Sequence, residues 1–246
     1  MATLRVLQEA GDGVDAEKQM SLVEHLEDLR RALIVSLAAW AAASVGAFFF
    51  WRRVLDFLVA RGGLQHTFFT TPTGAFLLGI KLAIALGFVA AFPVIAQRAW
   101  WFVSPGLHRQ ERRLVLPLFL ATVLFFGMGL GVALFALPLF VHILTGFAPA
   151  DLTYLPLVDD YLGFALLLVV AFGLVFELPV VLYVLGRLGI VSSRWLYRHR
   201  VAWVLGLAVL ANFLTPGADP VTPLLMFVPL YVFWEATALL LKLTGR

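Results

Sequence analysis

The chain has 246 residues, of which 62% are hydrophobic and 13% charged, with no cysteine and a formal net charge of +3. That apolar fraction belongs to membrane spans rather than to one water-excluded core, and the lack of cysteine excludes disulfides, thiol catalysis and thiolate metal sites. The excess positive charge sits in short loops between apolar runs, the pattern of membrane-protein loops, which argues against nucleic-acid binding.

Residues 1–20 are polar and mixed in charge, without the apolar core or cleavage pattern of a signal peptide, and read as a flexible cytoplasmic tail. Residues 21–246 read as one six-helix domain. Its first segment places Leu22, Leu26, Leu29 and Leu33 on one helix face. Glu24, Glu27, Asp28, Arg30 and Arg31 fill the remainder. Local pairs such as Glu27–Arg31 make a solvated interfacial helix, yet three acids against two bases leave negative charge where Lys and Arg normally prevail. Residues 32–51 follow as twenty uncharged positions, about 30 Å of helix.

A second span is expected over 74–96, with Lys81 in its first turns. The loop after it, Phe102-Val-Ser-Pro-Gly-Leu-His-Arg-Gln-Glu-Arg-Arg113, sets one acid, Glu111, among Arg109, Arg112 and Arg113. Together with the acids before the first span, it offers two carboxylate points to a basic ligand, and carboxylates suit the planar fork of arginine. The third span covers 114–141, where Gly127, Gly129 and Gly131 give a small face for close packing.

The fourth span, 161–186, is interrupted by Glu177, with Pro179 expected to kink it. A carboxylate at that depth costs about 2.5–3.5 kcal/mol on insertion scales, so it faces the bundle or water, as a structural hydrogen bond or a functional group. Residues 201–214 make only about 21 Å of helix, too short for an ordinary bilayer. The turn Thr215-Pro-Gly-Ala-Asp-Pro220 leads into a sixth span over 221–241 that contains Glu235.

With the N-terminus inside, fourteen of the eighteen Lys and Arg residues fall in inside segments. Six helices with both termini cytoplasmic fit that asymmetry. The fold class expected is therefore all-α: a polytopic membrane protein of six transmembrane helices, the last two short, forming a concave membrane-facing surface. There is no Gly-x-Ser-x-Gly, His-Glu-x-x-His or P-loop pattern, and His25, His66, His108, His142 and His199 are not at ligand spacing. No enzyme activity, cofactor or metal is expected.

Five segments in register with these spans carry a family resemblance: His25-Leu-Glu-Asp-Leu-Arg30, Phe102-Val-Ser-Pro-Gly-Leu107 with Glu111-Arg-Arg113, Phe176-Glu-Leu-Pro-Val180, Leu214-Thr-Pro216 with Asp219-Pro220, and Pro229-Leu-Tyr-Val-Phe-Trp-Glu235. In this order they resemble TatC, the multi-spanning core subunit of the twin-arginine protein translocase. The family's first motif usually reads His-Leu-x-Glu-Leu-Arg-x-Arg-Leu; here Asp28 stands for the glutamate and Ala32 for the second arginine, and Pro223 occupies a position where many members have glutamine.

The resemblance implies a receptor for twin-arginine signal peptides of folded cargo. It would work in an oligomeric complex with single-span TatA and TatB proteins, in the cytoplasmic membrane of a bacterium or archaeon, on the proton-motive force. It implies a peptide site at Asp28, Glu111, Glu27, Arg30, Phe102 and Leu107, with Asp28 or Glu27 making the first arginine contact. Glu177, Thr215 and Asp219 are implied as intramembrane or partner-facing groups. The alternative is a secondary transporter with Lys81, Glu177 and Glu235 as an ion or proton path, although such folds show two matched halves and this chain has no internal repeat.

Overall fold

The computed structural model describes residues 22–64, 66–69, 71–106, 112–147, 149, 151, 155–215 and 221–245. Nine α-helices run through these residues. The side of the bundle where α1 begins is termed the near face, and the opposite side the far face.

Helix α1 (Leu22–Phe48) is unbroken. The interfacial stripe and the first span expected from residue 32 are therefore one helix of about 40 Å, because the Leu, Glu, Arg and Ala residues around the junction are all good helix formers. None of its residues from 23 to 48 is buried, and it packs chiefly on α3 (Gly74–Val103). The Trp40 indole donates to the Ile84 carbonyl at 2.9 Å. At Gly87 the helices nearly touch, since a Cβ there would fall 2.1 Å from Ser44 Oγ.

Helix α2 (Trp51–Arg61) lies at the far face. Tyr161 ties it down by donating its hydroxyl to the Leu58 carbonyl at 2.5 Å. Beside it, Phe68 and Leu157 form a short parallel bridge.

Helix α4 (Val115–Gly146) returns from the near face and packs on α5 (Val158–Val175). Of the three glycines expected to form a small face, only Gly129 does. A Cβ on it would lie 2.5 Å from the Phe172 carbonyl oxygen, whereas Gly127 and Gly131 face open space. The three sit at i, i+2 and i+4, so no single face holds them all.

The fourth span is two helices, α5 and α6 (Leu178–Arg187). Pro179 lacks an N–H for the carbonyl of Val175, four residues back, and its ring crowds that carbonyl. Val175 is where α5 ends. Glu177 stands in the break.

At the near face, α7 (Ser193–Arg198) is capped by Ser192, whose Oγ accepts from the Trp195 N–H at 3.2 Å. Helix α8 (Arg200–Leu214) has 15 residues and is, among the described residues, the one short apolar span. The last helix, α9 (Val221–Leu243), was also expected to be short but runs 23 residues, enough to cross. Leu207 and Ala211 of α8 and Met226, Leu230 and Trp234 of α9 are buried in the core, together with Leu82, Leu137, Leu162 and Leu168. The result is an all-helical, multi-pass membrane protein: five long apolar spans, counting α5 and α6 as one, and the short α8.

Candidate functional site

At the near face, His25 of α1 lies flat on Phe102 of α3, ring centroids 4.3 Å apart and planes 12° from parallel. Helical spacing puts Asp28 and Ala32 on the face that His25 begins, and Arg98, Trp101 and Phe102 on the facing turn of α3. Asp28, Arg31, Ala32, Arg98, Trp101 and Phe102 line a groove of about 300 Å³ there. Two residues named from the sequence, Asp28 and Phe102, are thus brought together.

Glu27 and Arg30 are exposed on the same stretch of α1 but do not line this groove. Among the described residues no ion pair ties up Asp28 or Glu27. Glu111 and Leu107 lie outside the described residues, as does Asp219. His25, Arg98 and Trp101 join the site only through the fold. The i, i+3, i+7 spacing of His25, Asp28 and Ala32 was legible, but the pairing with α3 was not.

A second polar feature lies inside the bundle. The Glu177 carboxyl contacts the Thr122 side chain and the Phe126 backbone of α4. Its Oε1 is buried without a hydrogen-bond partner among the described residues. Thr122 in turn accepts the indole N–H of Trp100, from the last turn of α3, at 3.0 Å.

Thr215 is elsewhere. It closes the far end of α8, is 5% exposed, and donates its hydroxyl to the Ala211 carbonyl at 3.0 Å. Glu177 sits about 15 Å of helix rise from the near end of α6. Glu177 and Thr215 therefore occupy different depths, and no described contact joins them. On α8 the most exposed large apolar side chains are Val201, Leu205, Val209 and Phe213, an i, i+4 stripe, with Leu210 less exposed beside it.

The three groups of the transporter alternative are separated. Lys81 Nζ pairs with Asp159 Oδ1 at 2.5 Å toward the far face. Glu235 is held toward the near face by the Tyr197 and Tyr231 hydroxyls, each at 3.2 Å, and by Arg200 at 3.4 Å. Each charge is answered locally, so they do not line one path with Glu177. Among the described residues no group of three His, Asp or Glu side chains is placed to hold a metal ion.

The family model described as Sec-independent protein translocase protein (TatC) matches residues 24–229. A protein of Aquifex aeolicus named Sec-independent protein translocase protein TatC is 37% identical over 237 residues, covering 92% of this chain and 97% of its own length. A like-named protein of Carboxydothermus hydrogenoformans is 34% identical over 229 residues, covering 92% and 94%. The crystal structure titled twin arginine translocase receptor TatC superposes with a TM-score of 0.80 at 36% identity, over 91% of this chain and all of that one.

Proposed function

Because the chain belongs to the TatC family of Sec-independent protein translocase proteins, we propose that it is the receptor subunit of a twin-arginine translocase. In this reading the near face is cytoplasmic, and the groove between α1 and α3 takes the paired arginines of a signal peptide. The observation that carries it is the stack of His25 on Phe102, which sets Asp28, in no ion pair among the described residues, beside an aromatic wall.

A guanidinium binds a carboxylate through two parallel charge-assisted hydrogen bonds. Arg31 and Arg98 share the groove and repel a cation directly. The peptide's arginines therefore engage carboxylates, Asp28 of the groove with Glu27 next to it on α1 and Glu111 of the following loop, while its apolar residues turn to Phe102 and Leu107. In this reading work comes from binding and assembly, with the proton-motive force as the energy source.

Single-span proteins of the TatA and TatB type are the assembly partners. A lipid-facing helix needs a complementary apolar face, and the Val201, Leu205, Val209 and Phe213 stripe on a helix too short to span alone supplies one. Glu177, with one carboxyl oxygen unanswered among the described residues, is the group for a partner's polar side chain or water.

Binding of a labelled paired-arginine peptide to the detergent-solubilised full-length protein, against a paired-lysine control, tests the receptor role. Arginine preference is expected from the bidentate geometry. Equal binding of both peptides, or none, would remove the role.

A further inference from the structure

Arg31 and Arg98 both line the near-face groove, and neither takes part in an ion pair or side-chain hydrogen bond among the described residues. Asp28 shares the groove but pairs with neither. Two guanidinium groups against one carboxylate leave the groove a positive charge in excess. The Arg98 Nε is also buried without a hydrogen-bond partner among the described residues, and a buried donor left unmade is costly. Lys81 and Arg200, by contrast, each have a carboxylate.

The two arginines share a depth. Arg31 is the last charge before the twenty uncharged residues 32–51, and Arg98 is the first after the sixteen uncharged residues 82–97. Each therefore stands where its helix leaves the hydrocarbon, on the same face of the bundle. Trp101, one turn from Arg98 and 64% exposed, has the amphipathic ring that suits the membrane interface. On α1, Leu33, Ile34 and Leu37 are exposed in the next turns toward the bilayer. Basic pockets between transmembrane helices bind lipid head groups at this level.

We propose that the groove between α1 and α3 seats the phosphodiester of an anionic membrane phospholipid on Arg31 and Arg98, with its acyl chains along α1. A phosphodiester presents two anionic oxygens to the planar guanidinium fork, a stronger match than a neutral acceptor makes. Free phosphate has the same chemistry, but the depth of the arginines and the apolar surface beneath them favour a group tethered to the bilayer. An anionic head group cancels the excess charge of the groove, whereas a choline head group brings a further cation to it. The seat does not depend on the receptor reading. It is compatible with it, because phosphate on the two arginines lifts their repulsion and leaves Asp28 to a peptide's cation.

Native mass spectrometry of the full-length protein, released from micelles doped with phosphatidylglycerol or phosphatidylcholine, reads lipid retention directly. Wild type is expected to retain phosphatidylglycerol in preference. Arg31→Gln and Arg98→Gln are each expected to raise its apparent Kd about ten-fold or more. Arg98→Lys, which keeps the charge and loses the fork, is expected to fall between. Arg198→Gln removes an exposed near-face arginine outside the groove and is expected to leave retention unchanged. Should Arg98→Gln fail to fold, Arg31→Gln on an exposed position and Arg98→Lys carry the comparison. Equal retention of the two lipids by wild type overturns the proposal, as does wild-type retention in the groove variants. An equal loss in Arg198→Gln overturns it too, by reducing the effect to net charge. Displacement of the lipid by an equal concentration of inorganic phosphate overturns the membrane source.

Discussion

His25 and Phe102, stacked with centroids 4.3 Å apart, join the start of α1 to the end of α3. With no buried residue from 23 to 48, α1 depends on such contacts with α3, here, at Trp40–Ile84 and at Ser44–Gly87. An aromatic pair of this kind contributes about 0.5–1.5 kcal/mol beyond its buried area. His25→Ala and Phe102→Ala are each expected to lower the melting temperature in detergent, while His25→Phe, which keeps the stack, leaves it near wild type. Wild-type melting in both alanine variants would mean the stack does not hold the helices.

Gly129 and Gly131 give a matched pair of substitutions. A Cβ at Gly129 meets the Phe172 carbonyl at 2.5 Å and Gly173 Cα at 2.9 Å, both backbone atoms that cannot step aside, whereas nothing lies near Gly131. Gly129→Ala is expected to destabilise by about 1–3 kcal/mol through overpacking. Gly131→Ala should be neutral or stabilise by up to about 1 kcal/mol through backbone entropy. Thermal denaturation of both in one detergent checks this, and equal losses would contradict the α4–α5 packing.

On α8, Leu207 and Ala211 are buried against the protein's own core while Leu205 and Val209 face outward. Photocrosslinkers at 205 and 209 are expected to capture a single-span partner more strongly than those at 207 and 211. The reverse order would move the partner away from this helix.

Charges delimited the spans well because a charge is costly inside a bilayer wherever it falls in the sequence. Pro179 likewise announced the break in the fourth span, since what it disrupts lies four residues away. Pairings across the fold were hidden. Lys81 reads as an isolated cation until α5 brings Asp159 to it, 78 residues on. Thr122 reads as one more small residue in an apolar run until the Trp100 indole donates to it. Gly129 could not be told from Gly127 and Gly131 because only a neighbouring helix distinguishes the faces.

Orientation follows from the distribution of arginine. Single cysteines can be read without background in a cysteine-free chain. With the near face inside, an impermeant thiol reagent on intact cells is expected to label position 155 and spare position 110. The opposite pattern would invert the topology and put the groove on the wrong side for a cytoplasmic ligand.

Two carboxylates, Asp28 and Glu111, are proposed to receive the paired arginines, and the peptide affinities of Asp28→Asn, Glu111→Gln and the double variant decide it. Losing a charge-assisted hydrogen bond costs roughly 1.5–3 kcal/mol, about ten- to hundred-fold in Kd. Each single variant is expected to show such a loss, and the double variant at least as large a one. Glu27→Gln serves as the neighbouring control on α1. Wild-type affinity in all three carboxylate variants would contradict the site, and a loss confined to Glu27→Gln would move the first contact one residue along α1.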